Sequence, residues 1–385
     1  MRPKAADATP GPAILSLRFA RSRRLSTYLP PGVTGRAQPV RVWSEVRRDP
    51  LTGRSGRVAH FKGFTLVAPD LSTVVSDSRS ACPFCPERVL EVTPLMPSTA
   101  VPSGRIRRGE AVLFPNISPY DRSSVVTVLS REHFLEANQF SSVQLVDGIM
   151  ATIEYFRTLP RPGRGTHSVI TWNYMPPSGA TQVHAHLQAF STNRPGSILE
   201  EEVRRSRTFW RRHRHPFWAE LAEVEEAQAE RFVARGRHTV WLTPFVSHSV
   251  ISDAMALFPA HSYLQELGET EVTEFVAGLR LALAAFHDEG VRAFNLAFYA
   301  APSGDAAPHF WLHARVSPRI YFNPSILGSD TSAWQHLLGE SVMVRSPEAL
   351  AARLQDRFAN AFPRAGKKAP GRDVPATGPA HAVSS

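Results

Sequence analysis

The stretch Thr181-Gln182-Val183-His184-Ala185-His186-Leu187-Gln188 decides how the rest of this chain is read. Successive side chains of a β-strand point to opposite faces, so a strand here sets His184, His186 and Gln188 on one side at steps of about 7 Å. Val183, Ala185, Leu187 and Ala189 then form an apolar opposite side. Three adjacent hydrogen-bonding side chains are odd for a strand that only packs, and the competing reading is a solvent-facing strand that happens to hold two histidines. Just upstream, Asn173 ends another β-rich stretch, and Ser178-Gly179-Ala180 makes a small-residue turn able to offer backbone N–H groups to an anion.

Working outward, the two strands are predicted over His167 to Tyr174 and Val183 to Ser191. The prolines and glycine between them can continue neither. Ahead of them Val143, Val146, Ile149, Met150, Ile153 and Phe156 fall on one face of a helix predicted from Ser141 to Leu159. The order helix, strand, loop, strand returns with a helix over Glu269 to Glu289 and strands over Ala293 to Ala301 and His309 to Ser317. This repeat of pattern predicts an α+β fold of two duplicated halves, antiparallel strands with flanking helices, joined in a common sheet or in two packed ones. Coincidence between two common motifs is the alternative. Between the repeats, Ser197 to Gly236 is dense in Glu and Arg and reads as a solvated helical segment, with a strand predicted over His238 to Val246.

The 385 residues, 43% of them hydrophobic, suffice for a real core and two domains of ordinary size. No apolar run approaches the ~18 residues a membrane-spanning helix needs, so no membrane partner is expected. The formal charge of +10 invites a nucleic-acid reading, but its placement argues against one. Residues 1–40 carry a net +6 and residues 364–385 a net +3, through Arg364, Lys367, Lys368 and Arg372 against Asp373, which leaves about +1 for the middle. The predicted organisation is a disordered basic tail over 1–40, an N-terminal half over 41–236, a C-terminal half over 237–363 and a second disordered tail over 364–385. No specific nucleic acid is expected as a partner. Arg18, Arg21, Arg23 and Arg24 among Ser and Leu have the composition of a transit peptide, which the Arg- and Pro-rich character of the whole chain explains as well. With no secretory apolar segment in view, the expected location is cytoplasmic.

Two cysteines, in Cys82-Pro83-Phe84-Cys85, exclude a disulfide framework. They leave a redox dithiol or two ligands of a metal. A redox pair wants a strand before it and a helix start at its first cysteine, whereas Arg79-Ser80-Ala81 precedes Cys82 and Pro86 follows Cys85.

Asn173, Gly179, Thr181, His184, His186 and Gln188 match in spacing the galactose-1-phosphate uridylyltransferase branch of the histidine triad superfamily, and the chain resembles that branch over roughly residues 43–358. Arg48-Asp49-Pro50-Leu51-Thr52-Gly53 is similar to its opening Asn-Pro-Leu-Thr-Gly motif, Cys82 and Cys85 to its zinc Cys-x-x-Cys, and Phe114-Pro115-Asn116 to the segment that helps hold the nucleoside. His309 to His313 and Leu338-Gly339-Glu340 resemble its second half, where Glu340 falls near the acceptor site. The resemblance implies a zinc ion as cofactor, held by Cys82, Cys85, His133 and His184, and a homodimer as the assembly to allow for. It further implies substrate contacts at Asn173, Gly179, Thr181, Phe114, Asn116 and Glu340, with His186 and Gln188 catalytic.

Chemistry supports those roles. A neutral imidazole can attack an α-phosphorus, and the phosphoramidate so formed keeps the nucleotide activated for a second acceptor. One ring nitrogen attacks only if the other keeps its proton and gives it to a fixed acceptor, expected here on a neighbouring strand. Gln188 stands where histidine triad hydrolases hold a third histidine. An amide can bond a phosphoryl oxygen but cannot supply a titratable proton, which suits a leaving group that departs as a stable anion. The expected activity is therefore transfer of a nucleoside monophosphate from a nucleotide sugar to a sugar 1-phosphate, or to inorganic phosphate in a phosphorylase using the same histidine. A zinc-stabilised nucleotide-binding protein without turnover is the rival.

The chain departs from the family at two places. A second metal site would need a Glu and three His, and only Glu202 and His313 match, with Tyr299 and Arg315 at the other positions; no second ion is expected. The family's acceptor lysine is missing, while Gln335, His336, Arg319 and Arg345 occupy the neighbourhood.

Overall fold

The computed structural model describes residues 17–29, 38–59, 64–160, 165–304, 307–326 and 328–362. Strands β1 (Ala20–Tyr28), β2 (Val40–Arg48) and β3 (Ser55–Val58) come first, then the short helices α1 (Ser72–Arg79) and α2 (Pro86–Val92). A meander, β4 (Ile106–Arg108), β5 (Ala111–Pro115) and β6 (Arg122–Val128), leads through α3 (Ser142–Thr158) into the hairpin β7 (His167–Tyr174) and β8 (His186–Thr192). Helices α4 (Ser197–His213) and α5 (Phe217–Gln228) cross to a second meander, β9 (Phe232–Arg235), β10 (Val240–Leu242) and β11 (Ala254–Leu257). That meander runs through α6 (Glu269–Asp288) into a second hairpin, β12 (Ala293–Tyr299) and β13 (His313–Arg319). The pair β14 (Tyr321–Asn323) and β15 (Gly328–Ser329), then α7 (Ala333–Leu338), β16 (Ser341–Met343) and α8 (Pro347–Phe358), complete the described chain.

The repeat expected from the pattern is present, and of the two arrangements it allowed, the common sheet is the one observed. Ten strands run in the order β4-β5-β6-β8-β7-β12-β13-β11-β10-β9. In each half the last meander strand pairs with the second hairpin strand, and the first hairpin strands meet at the centre, Asn173 opposite Asn295. One face is covered by α3, α6 and α8: Leu145, Ile149, Ile153, Phe275, Leu279, Leu283, Leu350 and Leu354 pack on Ile170, Trp172, Leu187, Leu296 and Val316. The alternate residues of the same strands face the other way, where α4 and α5 cover the second half through Leu199, Val203, Trp218 and Leu221.

Ser141 caps α3 in a reciprocal box with Gln144, so the predicted helix start holds within a residue. The strands over Val183 to Ser191 and His309 to Ser317 start later than predicted, at His186 and His313. In each case the histidine ring takes the backbone carbonyl two residues earlier, His184 O at 2.9 Å and Trp311 O at 3.1 Å, and that group is lost to the ladder. The predicted segments 197–236 and 238–246 are corrected too: α4, α5 and β9 divide the first, and β10 is shorter than the second.

The expectation of disorder over 1–40 fails at Ala20–Tyr28, which pairs residue for residue with Val40–Arg48. Composition could not veto this strand, because β1 buries no side chain and needs only a backbone partner. Residues 1–16 and 30–37 of that tail, and the tail 364–385, lie outside the described residues. The β1-β2-β3-β16 sheet is tied to the body where Arg47 and Arg231 share Glu348, each at 2.9 Å. Among the described residues no helix is long and apolar enough to cross a membrane.

Helix α6 approaches the sheet closely at Gly278, where an added Cβ would run into the indole of Trp241. That indole is fully buried between Phe275 and Phe358, so it cannot retreat. Alanine gains about 1 kcal/mol over glycine inside a helix, while overpacking costs about 1–3 kcal/mol. The expected outcome for Gly278→Ala is a net loss of stability, read as a lower urea midpoint at unchanged slope; a raised midpoint would show that Trp241 is free to move.

Candidate active site and metal centre

Two buried cysteines and two buried histidines meet under the first half of the sheet. Cys82 and Cys85 come from the loop between α1 and α2, His133 from the segment after β6, and His184 from the bend before β8. Pro86 sits at the first position of α2, where its missing N–H costs nothing, so the loop ends at Cys85. The four ligand atoms lie within 4.8 Å of one another. His133 Nδ1 is 3.4 Å from Cys85 Sγ, and His184 Nδ1 is 3.6 Å from Cys82 Sγ and 3.7 Å from Cys85 Sγ.

The outer ring nitrogens fix the tautomers. His184 Nε2 meets Ser130 O at 2.9 Å and His133 Nε2 meets Val75 O at 3.2 Å. A carbonyl only accepts, so both Nε2 atoms carry the proton and both Nδ1 lone pairs face the sulfurs. Burial first, and then the neighbouring rings and Arg79, push the His184 pKa down to about 4, against the bond to Ser130. Burial first, and then Cys82, push the Cys85 thiol up to about 11. A cation among them would reverse the second effect by stabilising thiolate. The set can hold a metal ion, and with four protein ligands it would leave none of the coordination open.

His186 follows directly. It is 6% exposed, with Phe84 of the cysteine loop against its ring at 5.2 Å and Phe114 behind Phe84 at 5.7 Å. Its Nδ1 donates to His184 O at 2.9 Å, an acceptor in the bend just ahead of its own strand, not on a neighbouring one as expected. Burial lowers its pKa, the bond to His184 O opposing, so the ring is neutral with Nε2 available. Gln188 points from the same face of β8, and its Oε1 is buried without a hydrogen-bond partner. Such an orphan costs about 1–3 kcal/mol when nothing meets it, and being an acceptor it calls for a ligand donor.

Pairing carries the face sideways. Thr171 is opposite Gln188, and the same register continued by two residues sets Asn173 across from His186. Asn173 Oδ1 accepts from Asn295 Nδ2 at 2.7 Å. The turn between β7 and β8 holds Gly179 at φ +87°, a conformation that favours glycine, with Thr181 exposed beyond it. Phe114 is buried and reaches the site only through Phe84. Asn116 accepts from Ser118 N in its own turn. Glu340 is bonded to Ser55 Oγ at 2.5 Å with Arg57 Nε at 3.1 Å, a partnership in the four-stranded sheet and not with the face of His186.

In the second half His313 occupies the place of His186 but is closed in. Its ring lies between Tyr299 at 4.7 Å and Trp218 at 4.2 Å. Arg315 donates to Glu202 Oε1 at 2.8 Å and His313 Nε2 lies 3.3 Å from Glu202 Oε2, so the guanidinium neutralises the carboxylate. Sequence reasoning missed Asn295 and Asp330 and placed Arg319 only in the neighbourhood of an acceptor; a lone Asn in the apolar run Ala293 to Ala301 was the available signal.

No family model matches the chain. An uncharacterized protein of Archaeoglobus fulgidus is 27% identical over 281 residues, 72% of this chain and 82% of that protein. Among solved structures, an ADP-glucose phosphorylase from Arabidopsis thaliana with bound ADP-glucose superposes at a TM-score of 0.62, with 14% identity over 81% of this chain and 98% of that one. A uridylyltransferase does so at 0.58, with 18% identity over 82% and 99%. The chain shares the fold of these nucleotide-sugar phosphorylase and uridylyltransferase structures.

One metal ion per chain is the outcome expected from elemental analysis of protein purified without added metal. Cys82→Ser should lose most of that metal and unfold at lower temperature than the parent. Equal stability of the two, with metal well below one per chain, would remove the metal centre.

Proposed function

We propose that the protein is a nucleotidyltransferase working by a double displacement through His186, with a nucleotide sugar as donor and a sugar 1-phosphate or inorganic phosphate as acceptor. The observation that carries this is the setting of His186: a buried ring whose burial favours the neutral form, its Nδ1 proton held by His184 O, with Gln188, whose Oε1 has no hydrogen-bond partner among the described residues, on the same face of β8.

In the first step Nε2 attacks the α-phosphorus. The Nε2–P bond forms, the P–O bond to the sugar 1-phosphate breaks, and the leaving group departs as an anion. The imidazolium charge so created is shared with His184 O through Nδ1–H. In the second step an oxygen of the acceptor phosphate attacks the same phosphorus and the P–N bond breaks. No proton need move, which is why a glutamine suffices at position 188. Through its NH2 the Gln188 amide can bond a non-bridging phosphoryl oxygen, and Asn173 and the Gly179 turn are proposed to hold the same group.

Zinc is the metal proposed for Cys82, Cys85, His133 and His184. Tetrahedral bonds of about 2.3 Å to sulfur and 2.0–2.1 Å to nitrogen require S···N edges of about 3.5 Å, and the three observed edges are 3.4, 3.6 and 3.7 Å. Bound there, it would neutralise the thiolates and fix His184, whose carbonyl orients the His186 ring.

Inorganic phosphate as acceptor is the second reading. It is supported by the missing acceptor lysine, by Glu340 being engaged with Ser55 and Arg57, and by the ADP-glucose phosphorylase among the similar folds.

Protein incubated with uridine, adenosine, guanosine and thymidine diphosphate sugars labelled at the α-phosphate should retain acid-labile, base-stable label from at least one of them. His186→Ala should retain none, and Gln188→Ala should acquire it more slowly at the same residue. Because burial holds the His186 pKa below the ordinary 6.5, the neutral ring persists to lower pH, and labelling should decline only beneath pH 6.5. Turnover by His186→Ala at near the parent rate would end the proposal. Exchange of labelled phosphate against labelled sugar 1-phosphate into the donor separates the two acceptors.

A further inference from the structure

We infer that Asn295, held by Arg319 and Asp330 of the second half, is a positioning residue that decides which end of the Asn173 amide faces the substrate; its catalytic consequence rests on the reading of His186 given above. An amide is a donor at one end and an acceptor at the other, and a flip exchanges them. A chain of hydrogen bonds removes that freedom one link at a time.

Asp330 is 3% exposed and accepts from Arg319 Nε at 2.9 Å and Nη2 at 2.7 Å. A guanidinium only donates, so the atom of Asn295 that meets Arg319 Nη1 at 2.9 Å has to be Oδ1. Its Nδ2 is thereby turned towards β7, where it donates to Asn173 Oδ1 at 2.7 Å and to Ser178 O at 2.9 Å. Asn173 is left with its own Nδ2 on the far side, without a hydrogen-bond partner among the described residues. The bond to Ser178 O fastens the turn that carries Gly179 to the same amide. Asn295, Arg319 and Asp330 also line a cavity of about 410 Å³ over the second half, so the relay ends at open space and not in the core.

Carried two residues past Thr171 and Gln188, the register sets Asn173 on the face of His186, where its free NH2 is a donor for a phosphoryl oxygen. A phosphoryl oxygen accepts and does not donate. The orientation fixed by the relay is thus the attractive one, and the flipped amide would set oxygen against oxygen. The second half of the chain, whose own histidine is closed in, acts on the reaction by holding this polarity.

Asn295→Asp preserves shape and the bond from Arg319 but has no donor for Asn173 or Ser178. Side-chain amide signals in a proton–nitrogen correlation spectrum, assigned with Asn173→Ala, read the orientation without turnover. The NH2 of Asn295 should exchange slowly and that of Asn173 fast in the parent, and Asn173 should become slow in Asn295→Asp as its NH2 turns to the new carboxylate. With a nucleotide sugar that the parent turns over, Asn295→Asp should lose about 10- to 100-fold in kcat/KM with unchanged metal content and thermal midpoint. Combining it with Asn173→Ala should cost no more than Asn173→Ala alone, because the two act through one amide. Losses that multiply in the double variant, or a protected Asn173 NH2 in the parent, would overturn the inference. Absence of turnover with every nucleotide sugar would instead sink the reading of His186, and the exchange pattern would still decide the orientation.

Discussion

The backbone ladder between β7 and β12, from Thr171 to Tyr174 against Phe294 to Ala297, is the constraint on which the rest of the structure depends. It makes two five-stranded sets into one sheet and fixes their register. Because side chains alternate with a period of two, a slip of one residue would turn Trp172 and Leu296 out of the core and Asn173 and Asn295 into it. With aromatic contacts at the seam, Trp172 against Phe294 at 4.9 Å and Tyr174 against Phe294 at 4.9 Å, such a slip is strongly opposed. The polar row Asn173, Asn295 and Ser317 is the same register seen from the other face, and continuing the β7–β8 ladder by two residues brings His186 into it.

That row is expensive in unmet hydrogen bonds and is supported by what surrounds it. Among the described residues Gln188 Oε1 and Asn173 Nδ2 have no hydrogen-bond partner, while behind them the bonds are complete: His184 to Ser130, Asn295 to Arg319, Arg319 to Asp330, Ser317 to Asp253. Rigid support behind and unpaired groups in front is the division expected of a site that meets a ligand without rearranging.

Much of this was legible in the sequence because it rests on local patterns. Helix periodicity located α3 and α6, and the repeat of helix and hairpin anticipated one sheet or two. The spacing of Cys82, Cys85, His133 and His184, read through a family resemblance, named the residues that the fold brings within 4.8 Å. What stayed hidden depended on partners distant along the chain or on a bond that periodicity does not record. The ring of His186 consumes the carbonyl of His184 and so delays β8; nothing in the alternation of letters reports a side chain competing with the ladder. β1 escaped because an exposed strand needs no apolar side chains. Asn295 escaped because its meaning comes from Asn173, 122 residues earlier in the chain.

The crossing through α4 and α5 joins halves that mirror each other around a seam of only a few paired residues. As separate chains such halves would have to find each other in solution, and the sheet would depend on how much protein was present. A covalent connection replaces that encounter with an effective concentration in the millimolar range. It also frees the two sides from having to be alike. In a symmetric pair every change appears twice, so a histidine needed on one side is bound to appear on the other. In a fused chain one side can leave the Nε2 of its ring without a partner among the described residues while the other stacks its counterpart between Tyr299 and Trp218, and the asymmetry is inherited as a single sequence.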